Sequence, residues 1–321
     1  MQIVFLDAVT VGKSISTDMI EGMLSHLGDV KIYETTSREE APERISDADI
    51  IITNKVVMDS ELLKYAKKLK LLCECATGFD NIDLNYCREN GIDVRNVRGY
   101  STDSVAQVTA AMVLSLVSRL NEYDSHVKNG FYTKGNTPTY VDLVYHEISG
   151  MKWGIIGAGA IGKRVMEIAK VLGAEVMVFS RTVHKELNHV SIDELCAESD
   201  IITVHVPLND GTRGLINSQT LSKMKRNVIL INAARGAVFD EKAVTEAVEA
   251  GQIGGLGIDV YSTEPMSASS PYQRILNCKN VILTPHMAWG SHEARIRCID
   301  EVKRNIEDFK NKGNRNSVFA D

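Results

Sequence analysis

The sequence predicts an α/β protein of two doubly wound, Rossmann-like parallel-sheet domains with a cleft between them. Two observations carry this. Short β-branched runs alternate with longer helical patterns along nearly the whole chain, as in parallel sheets covered by helices on both faces. The segment Gly157-Ala158-Gly159-Ala160-Ile161-Gly162 follows one such run and opens a helical pattern. The length agrees, since 321 residues make about two domains at roughly 100–200 residues each.

In chain order, the first series of strands reads at 3–6, 30–34, 49–53, 70–76 and 93–97. Each is rich in Ile, Val, Leu or Cys, the residues that suit a strand buried on both faces. Helical patterns fill the gaps at 18–27, 42–48, 60–66 and 84–90, with Gly91 placed as a helix stop. A longer helix reads at 104–120. The region 121–150, with Gly130, Gly135, Pro138 and several aromatics, reads as irregular.

The second series begins at Lys152. Strands read at 152–156, 175–179, 200–205, 227–232, 255–259 and 281–284, and helices at 161–172, 192–197, 218–224 and 241–250. A last helix reads at 291–311, with Ser291 as its N-cap and Glu293 in its first turn. We therefore expect a dinucleotide-binding domain over 103–289. The other domain, substrate-binding, is expected to be discontinuous, made of 1–102 and 290–321.

Composition narrows the function classes. Lys and Arg number 36 against 42 Asp and Glu, a net charge of −6, where a nucleic-acid binder shows a basic excess. The longest apolar stretch, 108–117, is interrupted by Thr109 and Ser115 and is too short to span a bilayer. The N-terminal segment has no basic leader, so no signal peptide is expected. None of the six cysteines forms a Cys-x-x-Cys pair. No metal site is expected, and free thiols in a reducing cytoplasm are the reading.

The glycine segment carries a specific mechanism. Gly157 permits a tight turn, Gly159 lets backbone approach a pyrophosphate, and Gly162 allows close helix–strand packing, while the helix N-terminus faces the anion. The end of the next strand selects between nicotinamide cofactors, because an acidic residue there binds the ribose 2′-hydroxyl. Here that place holds Ser180-Arg181-Thr182. A hydroxyl and a guanidinium suit a 2′-phosphate, so NADP is favoured over NAD.

Three further strand ends carry polar residues. Arg235 follows the run ending Asn232-Ala233-Ala234, Glu264 follows Asp259-Val260-Tyr261-Ser262-Thr263, and His286 follows Thr284-Pro285. Ligands of open α/β sheets collect beyond such ends. A histidine can give a proton to a carbonyl oxygen as hydride reaches the carbon. A carboxylate can orient that imidazole, and an arginine can clamp a substrate carboxylate at two points.

These motifs, in this order, make the chain resemble the D-isomer-specific 2-hydroxyacid dehydrogenases along essentially its whole length. The segments 76–83, 99–107 and His286-Met287-Ala288-Trp289 resemble its glycerate dehydrogenase/hydroxypyruvate reductase members. The resemblance implies reduction of a small 2-oxo acid, hydroxypyruvate or glyoxylate, to the D-2-hydroxy acid, with Arg235, Glu264 and His286 catalytic. It implies substrate contacts from Thr77, Gly78, Arg235 and Trp289. It puts Thr102, Val206, Pro207, Thr212, Ala233, Ala234, Asp259 and His286 with the glycine loop at the cofactor, and it implies a homodimer built on the cofactor domains. Ser180-Arg181 departs from the acidic residue of NAD-preferring members, and 131–145 matches the group poorly. D-lactate-type or branched 2-oxoacid reductases, and a nicotinamide-sensing corepressor-like protein, are the alternatives.

Overall fold

A computed structural model describes residues 1–183 and 185–320. The chain divides into two compact units, one made of Met1–Ser101 and the segment from Gly290 on, the other of Thr102–Trp289. In the first unit, strands β1 (Gln2–Phe5), β2 (Asp29–Ile32), β3 (Ile50–Thr53), β4 (Leu71–Glu74) and β5 (Asp93–Arg95) form a five-stranded sheet in the order β2-β1-β3-β4-β5. Every pairing is parallel. The helices α1 (Thr17–Leu24), α2 (Ala41–Ile45), α3 (Ser60–Leu63) and α4 (Leu84–Glu89) are the crossovers. Every residue of β3 and β4 is buried, which is why both read as unbroken apolar runs except for Thr53 and Glu74. Side-chain caps start α1, α3 and α4, from Ser16, Asp59 and Asp83.

The second unit opens with α5 (Thr102–Val117) and α6 (Leu120–Lys128). Its strands are β6 (Lys152–Ile156), β7 (Glu175–Phe179), β8 (Ile201–Val204), β9 (Val228–Asn232), β10 (Ile253–Ile258) and β11 (Val281–Leu283), in the order β11-β10-β9-β8-β6-β7. This sheet too is parallel throughout. Its helices are α7 (Ala160–Val171), α8 (Ile192–Glu198), α9 (Ser218–Leu221) and α10 (Glu241–Glu249). The chain leaves β6 toward β7 on one side and then returns to β8 on the other. The exit of β6 is thus the switch point at which such sheets bind ligands.

The region 121–150 departs from the irregular reading. The helix expected at 104–120 ends at Val117, and α6 follows after Arg119, whose φ of 51° breaks the path. Leu120, Tyr123 and Val127 recur at helical spacing, yet no residue of α6 is buried. Local contacts hold it instead. Arg119 pairs with Glu122 and Lys128 with Asp124, both at 2.7 Å. The His126 ring stacks on Tyr140 with centroids 3.9 Å apart.

The final helix, α11 (His292–Lys310), belongs to the first unit, where it packs against β4 and α1. Ser291 caps it by accepting the Ala294 amide. Arg95, 1% exposed, anchors its end by donating to the Asn305 carbonyl and to Asp308, each at 2.9 Å. No helix among the described residues is long and apolar enough to cross a membrane.

Candidate active site

The glycine loop lies at the exit of β6. Gly157 has φ +104°, and a Cβ there would come within 2.6 Å of the His205 carbonyl oxygen. A Cβ on Gly162 would stand 1.9 Å from the Gly157 carbonyl oxygen, so both glycines are required by close backbone approach. Gly159 differs, since a Cβ there meets nothing within 4 Å. It is the N-cap of α7 and offers no side-chain cap. The first turn of α7 therefore presents its amides and the positive end of its dipole to open space, as a pyrophosphate needs. Ala158, Gly159, Ala160 and Ile161 all keep some exposure. These features fit a dinucleotide.

The exit of β7 lies beside this loop, with the Gly157 amide donating to the Phe179 carbonyl at 2.8 Å. The Ser180 hydroxyl donates to the Thr182 carbonyl at 2.6 Å, which folds the turn. The Arg181 side chain is exposed. At the exit of β8, His205 accompanies Val206, whose Cγ1 lies 2.9 Å from the Cβ position of Gly157. Burial pushes the His205 imidazole down to about 3, so it stays neutral in this wall. The Thr212 hydroxyl donates to the Pro207 carbonyl at 2.6 Å and holds that loop.

A histidine–carboxylate pair is formed at the exits of β10 and β11. His286 Nδ1 lies 2.6 Å from Glu264 Oε2, and both side chains are partly exposed, 28% and 33%. With Nδ1 committed to the carboxylate, Nε2 is the nitrogen left for a substrate. Glu264 is itself held, its Oε1 accepting the Tyr261 amide at 3.1 Å. His286 has φ 51°, a left-handed conformation uncommon outside glycine. Asp259, 1% exposed, keeps it there. Its carbonyl accepts the His286 amide at 2.8 Å, and its carboxylate accepts the Met287 and Ala288 amides at 2.9 Å and the Thr284 hydroxyl at 2.6 Å. Burial raises the Asp259 pKa, and these donors and the charge of His286 oppose the rise. The Ser104 hydroxyl of α5 adds a further tie, donating to the Ala288 carbonyl at 2.6 Å.

Arg235 stands at the exit of β9. The fully buried Asn232 shapes its turn by accepting the Ala234 amide and donating to the Arg235 carbonyl, both at 3.0 Å. The next residue, Gly236, presses on the neighbouring loop. A Cβ there would lie 2.0 Å from the Tyr261 carbonyl carbon and 2.3 Å from the Ser262 nitrogen. The loops bearing Arg235 and Glu264 are therefore in backbone contact. Glu241, first residue of α10, fixes the second loop by accepting the Ser262 amide at 2.7 Å and the Ser270 hydroxyl at 2.9 Å.

Arg235, Glu264, His286, Ala233, Ala234 and Asp259 thus lie at adjacent strand exits of one sheet. Thr102 opens α5 in the same unit, and the half-buried Trp289 ends the His286 loop. Thr77 and Gly78 lie in the first unit, beyond β4. There the Thr77 hydroxyl donates to the Val97 carbonyl at 2.9 Å, and Asn96 donates to the Thr77 carbonyl at 2.7 Å. Asn232, Gly236, Glu241 and Ser104 were not singled out from sequence as site residues. Only Asn232, a polar residue closing a β-branched run, carried a signal. No group of His, Cys, Asp and Glu among the described residues could hold a metal ion.

A dinucleotide loop at a switch point, with a carboxylate-held histidine and an arginine along the same sheet edge, defines a nicotinamide-dependent oxidoreductase. Residues 110–288 match the D-isomer specific 2-hydroxyacid dehydrogenase, NAD binding domain family. A hydroxypyruvate reductase from Blautia hydrogenotrophica is 34% identical, over 96% of this chain and 97% of its own. The structure of a D-lactate dehydrogenase from Aquifex aeolicus, complexed with NAD and lactic acid, matches with a TM-score of 0.86 at 30% identity, covering 97% and 96% of the two chains. That of an acyclic imino acid reductase in complex with NADPH and D-Arg gives 0.88 at 30%, covering 99% and 100%. The chain belongs to the D-isomer specific 2-hydroxyacid dehydrogenases, oxidoreductases that interconvert 2-oxo and 2-hydroxy acids with a nicotinamide cofactor.

Proposed function

We propose that this enzyme reduces hydroxypyruvate, and more slowly glyoxylate, to the D-2-hydroxy acid, with NADPH preferred over NADH. The observation that carries the acid–base reading is the 2.6 Å contact between His286 Nδ1 and Glu264. When bound, the cofactor supplies the hydride. Arg235 holds the substrate carboxylate by two parallel charge-assisted bonds and polarises the carbonyl. The backbone amides of Thr77 and Gly78 are further carboxylate ligands. His286 holds a proton at Nε2 and releases it to the carbonyl oxygen, which completes the alcohol. Glu264 keeps the ring in the orientation this transfer needs. Asp259 acts through the 284–288 loop rather than on the substrate.

Arg181 supports the NADP preference. It is exposed at the exit of β7, and Ser180 leaves no carboxylate there to repel a phosphate. Replacing Arg181 with Ala lowers kcat/KM for NADPH by about tenfold or more, the loss of a charge-assisted bond, and leaves that for NADH nearly unchanged. Steady-state assays of hydroxypyruvate, glyoxylate, pyruvate and a branched 2-oxo acid with each cofactor test the whole reading. Greatest kcat/KM for hydroxypyruvate with NADPH is the expected result. A preference for pyruvate assigns the D-lactate-type activity instead, and higher efficiency with NADH refutes the role of Arg181.

A homodimer and a cytoplasmic location complete the proposal. Phe131, Val141 and Val144, 60%, 72% and 68% exposed, supply apolar surface around α6 for a second copy. Phe131→Glu then shifts the sedimenting species from dimer to monomer. The six free cysteines suit a reducing compartment.

A further inference from the structure

A buried carboxyl in the first unit has no place in the reaction described above. Glu74 closes β4 and is 0% exposed. Its Oε2 accepts the side-chain amide of Asn81 at 3.2 Å, and its Oε1 has no hydrogen-bond partner among the described residues. Asn81 lies in the turn that runs on from Thr77 and Gly78. The same Asn81 amide group also donates to the Val56 carbonyl at 3.0 Å, and the Asn81 carbonyl accepts the Met58 amide at 2.8 Å. Asn81 therefore pins the 77–82 turn to the loop beyond β3, and Glu74 is the side chain beneath the pin.

We propose that Glu74, acting through Asn81, is a positioning residue for the Thr77–Gly78 loop and sets KM for the 2-oxo acid. The inference rests on the reading of that loop as a carboxylate ligand. Neutrality is what lets Glu74 do this. A charged carboxylate with one oxygen unpartnered in a dry site is far costlier than a neutral acid. Among the groups that face it, the Asn81 amide and Lys55 favour the charge, but burial outweighs them and Asp7 and Cys298 oppose it. Asp7 comes from the exit of β1, Lys55 from that of β3, Cys298 from α11, and Cys75 and Tyr100 from neighbouring turns. Lys55 alone among these is cationic, and it also donates its amide to Asp7 at 2.6 Å. Burial raises the Glu74 pKa well above the usual carboxyl range, and Asp7 pushes it the same way. The neutral acid keeps Oε2 as the acceptor for Asn81 and carries its proton on Oε1.

The test compares wild type, Glu74→Gln and Glu74→Ala at neutral pH by infrared spectroscopy and by steady-state kinetics with hydroxypyruvate. Wild type is expected to show a protonated carboxylic acid C=O band that Glu74→Gln lacks. Glu74→Ala is expected to raise KM about three- to tenfold, the loss of one hydrogen bond, with kcat within about twofold. Glu74→Gln, which keeps an oxygen for Asn81, restores KM. If Glu74→Ala does not fold, Asn81→Ala is expected to raise KM by the same factor. No such band, or an unchanged KM in the variant that folds, overturns the proposal. Gly78→Val separates the two readings. A raised KM there with no effect at Glu74 removes the proposal alone, whereas an unchanged KM for Gly78→Val removes the carboxylate-loop reading and the proposal with it.

Discussion

His286, Glu264 and Arg235 each take geometry from a neighbouring side chain or amide. His286 owes its left-handed backbone to Asp259, Glu264 takes the Tyr261 amide, and Arg235 rides on the Asn232 turn. Glu264→Gln leaves the shape of the pair but removes its charge, and kcat should fall by about 10²-fold, within the range of lost acid–base assistance, while KM changes little. Arg235→Ala should instead raise KM for the 2-oxo acid, read in the same assay. A further residue-scale prediction concerns stability. The Glu74 pKa is raised on folding, so its contribution is fully present below the unfolded value near 4.5 and is lost as pH climbs through the folded value. Glu74→Gln should therefore raise Tm at pH 8 more than at pH 4, by about 2–4 °C for each kcal/mol recovered. Equal shifts at both pH values would contradict an ionising Glu74. Such effects are invisible in sequence, because nothing in Leu71-Leu72-Cys73-Glu74 says that the last member is as buried as the first three.

At the level of elements, the strand exits were legible because parallel strands buried on both faces read as apolar runs. The bounds of β6 and β7 at 152–156 and 175–179 follow from those runs directly. The helix α6 was less legible, since none of its residues is buried and part of its support comes from residues beyond it, as where His126 stacks on Tyr140. Nor could the contact between the β9 and β10 exits be read, because Gly236 in Asn232-Ala233-Ala234-Arg235-Gly236 looks like an ordinary turn glycine. It is required because the Tyr261–Ser262 backbone occupies the place of its Cβ. Gly236→Ala should displace Arg235 from Glu264 and His286 and lower kcat/KM by about 10²-fold, the scale of a 1 Å misplacement. Activity close to wild type would show that the loops slide apart without consequence.

For the whole molecule, a net charge of −6 excludes little, because anion recognition is local. The N-terminus of α7, exposed Arg181 and Arg235 place positive potential at separate points along one sheet edge, where a pyrophosphate, a ribose phosphate and a carboxylate can each be met. Sequence order alone could not tell that Asp259 serves the histidine loop, as its motif reads equally as a cofactor contact. Its buried carboxylate takes three donors from residues 284–288, and that ties the chemistry of one strand exit to the rigidity of the next. The proposed reaction rests on His286 delivering the proton when a 2-oxo acid is reduced. The most direct measurement is kcat for hydroxypyruvate in wild type and His286→Ala at saturating cofactor, with cofactor affinity measured on both. A fall of about 10²–10⁴-fold in kcat, with cofactor affinity retained within a few fold, is the expected result. An unchanged kcat in His286→Ala would contradict it.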